Sequence, residues 1–263
     1  MARSSIVLAV VAAVAIAAVV FAAYEVSENP TNQMFGRTVV SGPPNERVVA
    51  LTYDDGPNPP YTSGILNVLE REHVQATFFV VGRAVAAYPS VVRREVRDGD
   101  AVGNHTWDHA DLIVLDRSQE RASLERTDAA IYRAAGVHVR LMRPPFGKRD
   151  WWVLDEARKL GYTPVMWSVP LARDWEYPTA ATIASRIVPY VKDGSIVVLH
   201  DGNRGIVCDG SHVARHVCDR SADIEATRLI VEDLRREGYR FVTIPELLDL
   251  GRGAKNTPYP GSE

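Results

Sequence analysis

The sequence is poor in cysteine: two in 263 residues, Cys208 and Cys218, room for one disulfide. Neither sign of charge prevails. The formal net charge is -3, and aromatic residues do not interleave with basic runs, so nothing marks a nucleic-acid binder. No glycine-rich phosphate loop follows the first strand-like run, which argues against a dinucleotide-binding open sheet. There is no internal repeat and no sign of a second domain. What remains is 46% hydrophobic and 24% charged residues, the balance of an ordinary globular domain.

One stretch departs from that average. Ile6 to Ala23 is an unbroken apolar run, preceded by Arg3 and followed by Glu25 and Glu28. As a helix it would span about 27 Å, close to the thickness of a bilayer core. Residues 1–23 are therefore expected to be a transmembrane anchor or a signal peptide. The small-residue pattern near Ala22 is a mediocre cleavage site, which favours a retained anchor. Either way the chain is expected to be exported, with Met1 on the cytoplasmic side. In an exported protein the close pair Cys208 and Cys218 is expected to form a disulfide closing a surface loop. Residues 24–46 lack periodicity and read as a linker, 47–250 as a single folded domain, and 251–263 as a flexible tail.

From Arg47 onward, apolar β-branched runs alternate with amphipathic ones. Strands are expected at Val48–Tyr53, Ala76–Val81, Ala101–Asn104, Val137–Arg143, Thr163–Ser168, Ser195–His200 and Arg240–Thr243. Helices are expected near Thr62–Glu72, Ser90–Asp98, Ser118–Ala135, Asp150–Leu160, Ala181–Lys192 and Ala222–Glu237, with Asp150 and Ser118 as N-caps. This alternation implies an α/β fold of about seven parallel strands, a distorted (β/α) barrel.

In such a barrel the C-terminal strand ends converge on one face. The first carries Asp54 and Asp55 before a Gly56-Pro57 turn. Strand alternation would give adjacent carboxylates different tasks, one binding a cation and the other free to take a proton. His105 and His109 are spaced i, i+4, which on a helical turn offers two imidazoles to one cation. Two histidines and a carboxylate leave positions open for water or substrate, as catalytic metal sites do. Arg143, before Pro144-Pro145, is placed to hold a carboxylate bidentately. His200 ends an apolar strand and suits a general acid. His212 and His216 repeat the i, i+4 spacing without an obvious third ligand, and read as loop residues.

Together, Thr52-Tyr53-Asp54-Asp55-Gly56-Pro57, His105-Thr106-Trp107-Asp108-His109, Arg143-Pro144-Pro145-Phe146 and Val198-Leu199-His200 resemble the ordered motifs of the polysaccharide deacetylase (NodB-homology) family, carbohydrate esterase family four. The resemblance runs from about Arg47 to Leu250. It implies Asp54 as general base, and Asp55, His105 and His109 as ligands of a divalent metal, zinc or cobalt. Arg143 would orient and tune Asp54, and the Phe146 N–H would help bind the developing oxyanion. His200 would be the general acid, oriented by Asp174, with Leu199 and Trp175 walling the acetyl pocket. The implied reaction is metal-dependent removal of N-acetyl groups from amino sugars of a polysaccharide, peptidoglycan or chitin oligomers, releasing acetate outside the cytoplasm. An O-acetyl xylan esterase and a catalytically silent carbohydrate-binding protein are the alternatives, and a monomer is expected. Two departures stand out: Phe146 where the family often has Tyr, and Pro170 where the fourth motif has its first Asp.

Overall fold

The fold grows from β1 (Val48–Asp54), every residue of which is buried. Successive side chains on a strand point to opposite faces. Val48 and Ala50 accordingly join one apolar cluster, inside the curl of the sheet. Val49, Leu51 and Tyr53 join a larger one between sheet and helices. A strand buried on both faces needs such a continuous apolar run, as parallel sheets generally do.

A computed structural model describes residues 10–20, 29–208 and 215–253. Helix α1 (10–20) is exposed. After β1 come α2 (Tyr61–Glu72), β2 (Thr77–Val80), α3 (Gly82–Ala87), α4 (Pro89–Arg97), β3 (Ala101–Asn104), α5 (Arg117–Ala135) and β4 (Leu141–Met142). Then follow α6 (Trp151–Lys159), β5 (Thr163–Pro164), α7 (Ala180–Ile187), β6 (Ser195–His200), α8 (Arg215–Cys218), α9 (Ser221–Arg236), β7 (Arg240–Phe241) and α10 (Ile244–Gly253). The sheet order is β5-β4-β3-β2-β1-β6, with β7 paired to the start of β1. Every strand pairing is parallel. The sheet curls into the expected distorted barrel.

Its two edges are joined by a segment expected to be linker. Val39 bridges Val165 in parallel, and Ser41 bridges Ser195 antiparallel. Val39 is 5% exposed and packs in the inner cluster. The carbonyls of Asn29, Pro30 and Asn32 accept from Arg149, and that of Arg37 from Arg158. Residues 29–46 thus belong to the packed unit; without periodicity, such a closing segment has no sequence signature.

Three local differences have simple causes. The N-cap of α5 is Asp116, not Ser118: its carboxylate accepts from the Ser118 and Gln119 N–H groups, and Gln119 accepts in return from the Asp116 N–H. Asp150 caps α6 as expected. Helix α7 stops at Ile187 because Pro189 cannot continue the ladder, and a 3-10 turn follows over Val188–Tyr190. Helix α10 sends Ile244 and Leu247 into the inner cluster. Among the described residues, no helix is long and apolar enough to cross a membrane. Residues 6–9 and 21–23 of the apolar run lie outside the described residues, as does the tail from 254 onward.

A chain begun at Arg47 should be less stable than one begun at Asn29 by at least ~1.5 kcal/mol, the lower value for burying a valine-sized side chain. Urea unfolding of the two checks it; equal midpoints would mean that the 29–46 segment contributes nothing.

Candidate active site

The chemistry gathers where β1 ends. Asp54 is the last residue of β1, in register with His200 of β6 on one side and Phe79 of β2 on the other. Asp55 leaves the strand with φ 80. Simple alternation would send the two carboxylates to opposite faces, but this left-handed step brings both to one cavity. The ends of β1 and β6 are tied closely: the Asp201 and Gly202 N–H groups both donate to the Asp54 carbonyl. A Cβ on Gly202 would lie 2.3 Å from the Asp55 carbonyl oxygen, so only glycine permits this approach.

His105 follows β3, and His109 comes four residues on, but no helical turn links them. The chain bends instead, with Thr106 at φ 69 and His109 at φ 59. The rings still meet, their centroids 4.9 Å apart. Asp55 Oδ1 lies 3.5 Å from His105 Nε2 and 3.2 Å from His109 Nε2, and all three residues are buried. That oxygen has no hydrogen-bond partner, a costly state for a buried carboxylate unless a cation satisfies it. Its companion Oδ2 accepts from the Arg204 N–H at 2.7 Å. His105 Nδ1 lies 2.7 Å from the Arg143 carbonyl oxygen, which can only accept. Nδ1 therefore carries the proton, leaving the Nε2 lone pair free to bind a metal. Burial lowers the pKa of His109 to about 4, keeping it neutral. The three residues fit a divalent cation.

Arg143 is fully buried just beyond β4. One guanidinium nitrogen donates to Asp54 Oδ1 at 2.7 Å and to Thr52 Oγ1 at 2.8 Å. The others donate to the carbonyls of Val165 and Met166. The grip on Asp54 is through one nitrogen, not the bidentate fork expected, because the remaining N–H groups hold the extension of β5. Asp54 Oδ2 faces the metal site, 3.9 Å from His105 Nε2.

His200 Nδ1 contacts Asp174 Oδ1 at 2.9 Å, and the His200 N–H donates to Oδ2 at 2.7 Å. Burial alone would disfavour the imidazolium, but the Asp174 carboxylate outweighs it and raises the pKa of His200 to about 9. The corresponding stability is fully present below the ordinary value of 6.5 and is lost as pH rises through about 9. Asp174 is held below the usual carboxylate range: burial opposes its charge, and His200 more than compensates. Burial and the neighbouring Asp174 charge push the Asp223 carboxyl well above the usual carboxylate range. The altered fourth motif still delivers Asp174, in a 3-10 turn that follows Arg173 at φ 55.

Asp54, Asp55, His105, His109 and His200 line a cavity of about 610 Å³. Trp175 forms part of its wall, its ring edge-on to His200 with centroids 5.4 Å apart. Leu199 does not line it: on β6 it points outward into the helix-side cluster, and Val198 faces the cavity. Phe146 lines the mouth at φ 60. Its turn is closed by the Gly147 and Lys148 N–H groups, leaving that of Phe146 out of the turn's own bonding. Cys208 and Cys218 form the expected disulfide, closing the loop after His200. His216 is exposed, and His212 lies outside the described residues. Sequence reasoning missed Asp201, which accepts from the Gly56 N–H and the Thr62 hydroxyl and so fixes the turn after Asp55. Its place beside His200 was the available signal. It also missed Arg204 and Arg220, which line the cavity from a loop without periodicity.

A parallel α/β barrel with one carboxylate and two imidazoles at its mouth, beside an arginine-held carboxylate and an aspartate-held imidazole, is what a metal-dependent hydrolase requires. The comparisons narrow this. The family model for polysaccharide deacetylase matches residues 41–165. A peptidoglycan-N-acetylglucosamine deacetylase of Bacillus cereus is 36% identical over 208 residues, covering 78% of this chain and 90% of the relative. A chitooligosaccharide deacetylase of Azorhizobium caulinodans is 34% identical over 206 residues, covering 76% and 94%. The crystal structure of the Bc1960 peptidoglycan N-acetylglucosamine deacetylase, in complex with 4-naphthalen-1-yl-N-oxidanyl-benzamide, superposes with a TM-score of 0.71 at 31% identity, covering 80% and 92%. This chain belongs to the polysaccharide deacetylase family.

Removing a ligand should cost at least as much metal affinity as disturbing a supporting partner, which is typically about 10–100-fold. His109→Ala is expected to weaken zinc binding by that factor or more in a calorimetric titration. An unchanged affinity would move the metal elsewhere.

Proposed function

We propose that this protein removes N-acetyl groups from amino sugars of a polysaccharide, peptidoglycan first and chitin oligomers second, releasing acetate. The observation that carries this reading is the unpartnered Asp55 Oδ1 facing two imidazole nitrogens, with Asp54, held by Arg143, and His200, held by Asp174, lining the same cavity. The names of the relatives supply the substrate class.

Asp55, His105 and His109 would hold the cation, and a carboxylate with two imidazoles suits zinc, with cobalt as a substitute. When bound, a divalent ion supplies Lewis acidity towards the acetamide carbonyl and towards water. Asp54 takes the proton of the attacking water on Oδ2, since Arg143 occupies Oδ1. The Phe146 N–H stabilises the oxyanion as it forms. His200, with Nδ1 held by Asp174, delivers its proton through Nε2 to the departing amine. Val198, Leu171 and Trp175 offer the acetyl methyl group an apolar wall. Action outside the cytoplasm, with residues 1–23 serving as anchor or signal, fits relatives named for peptidoglycan.

Acetate release from N-acetylglucosamine oligomers and from peptidoglycan should be lost on chelation and restored by zinc or cobalt. Asp54→Ala should lower kcat by about 10²–10⁴-fold, the usual contribution of a general base. A folded, metal-binding protein that acts on neither substrate would sink the reading. Activity on acetyl xylan alone would favour the esterase, and no activity at all a silent carbohydrate-binding protein.

His200 must be protonated to act, so activity should fall as pH rises through about 9. Asp174→Asn removes the charge that raises this pKa and should shift the basic limb of the kcat/KM profile to lower pH. A limb that stays in place would assign that ionisation to another group.

A further inference from the structure

The cavity is lined by two arginines, and their situations differ. Arg220 is buried and donates to the carbonyls of Gly202 and Asp174. Arg204 has its backbone fixed and its guanidinium free of any carboxylate or carbonyl among the described residues. Its N–H donates to Asp55 Oδ2 at 2.7 Å. Its carbonyl and that of Gly205 accept from Arg83 at 2.9 and 2.8 Å. The residue itself adopts φ 48. The guanidinium lies 5.3 Å from the centroid of the Phe146 ring, a ring that also packs edge-on against His109 at 4.5 Å. Lys148 approaches the same ring at 5.5 Å, but its ammonium is bound by Asp111 at 2.7 Å.

The other charges at the cavity are answered: Asp54 by Arg143, His200 by Asp174, Arg220 by the carbonyls of Gly202 and Asp174, and Asp55 by the cation its neighbours would share. Among the described residues, Arg204 is the one arginine at the cavity whose guanidinium has neither a carboxylate nor a carbonyl to bond. Its backbone is pinned to the metal site, so the charge stands at a defined place beside the reacting group. A planar guanidinium resting on an aromatic face is suited to a carboxylate, which it can bind through two parallel hydrogen bonds.

We propose that Arg204 is a specificity-determining residue that recognises a carboxylate carried on the sugar polymer next to the N-acetyl group. The preferred substrate is then an acidic N-acetylated glycan over a neutral one. The inference rests on the deacetylase reading for the identity of the polymer, but recognition can be measured without turnover.

The test is calorimetric binding to the chelated protein of two probes. One is an N-acetylglucosaminyl–N-acetylmuramic acid oligomer with its lactyl carboxylates free; the other is the same oligomer with those groups as methyl amides. The acidic probe should bind about tenfold more tightly, at the lower end of what a charge-assisted hydrogen bond gives. The ratio should shrink as salt screens the pair. It should fall to near one in Arg204→Gln and be partly kept in Arg204→Lys. Equal binding of the two probes by the unaltered protein, or a preference that survives Arg204→Gln, overturns the proposal. The probe and salt comparisons on the unaltered protein decide the matter even if a variant fails to fold. Acetate release from the metal-loaded protein is followed in parallel. A protein that discriminates between the probes but releases no acetate keeps the recognition and loses the deacetylase reading.

Discussion

The buried guanidinium of Arg143 is the constraint on which the site depends. A fully buried cation is tolerated only where its hydrogen bonds and charge are answered. Here Asp54, Thr52 and the carbonyls of Val165 and Met166 answer it, and its planar face rests against Phe79. One side chain thus joins the ends of β1 and β4 to the extension of β5. Its own carbonyl fixes the tautomer of His105. Asp54 and His105 are therefore both set by a single residue, one by its guanidinium and the other by its carbonyl.

The architecture explains why so much can meet there. Parallel strands bring all their C-terminal ends to one face, and each connecting loop begins there. Glycine at 202 allows the β6 loop to lie against the Asp55 carbonyl, and Asp201 clasps the turn from behind. Left-handed residues at 55, 106, 109 and 146 turn the chain inward where a regular strand or helix would carry it away. Strain of this kind concentrates at sites where the surroundings enforce it.

Charge is arranged in pairs with distinct outcomes. The adjacent carboxylates at the end of β1 have opposite fates because one meets a guanidinium and the other two imidazoles. Two buried acids near His200 also diverge: although burial opposes its charge, Asp174 is held below the usual carboxylate range by His200, whereas burial and the Asp174 charge push Asp223 above it. The relatives share the fold at about one-third identity, and a shared fold does not by itself fix which polymer a site prefers.

The sequence by itself determined the alternation of strands and helices and the order of the strand-end motifs, and it singled out Asp54, Asp55, His105, His109, Arg143 and His200 as the candidate chemical groups. These are local properties, set by apolar periodicity and by residue type at the ends of strands. The sequence also carried the pairing of Cys208 with Cys218, because there were no other cysteines to choose from. Tertiary structure alone decided which face each side chain takes: Val198 in place of Leu199 at the cavity, and both carboxylates on one side of β1. It also decided the bent path between His105 and His109, the single-nitrogen hold of Arg143 on Asp54, and the incorporation of residues 29–46 into the barrel. Each depends on contacts between residues far apart in the chain, or on a left-handed backbone step, and neither leaves a periodic trace in the order of residues.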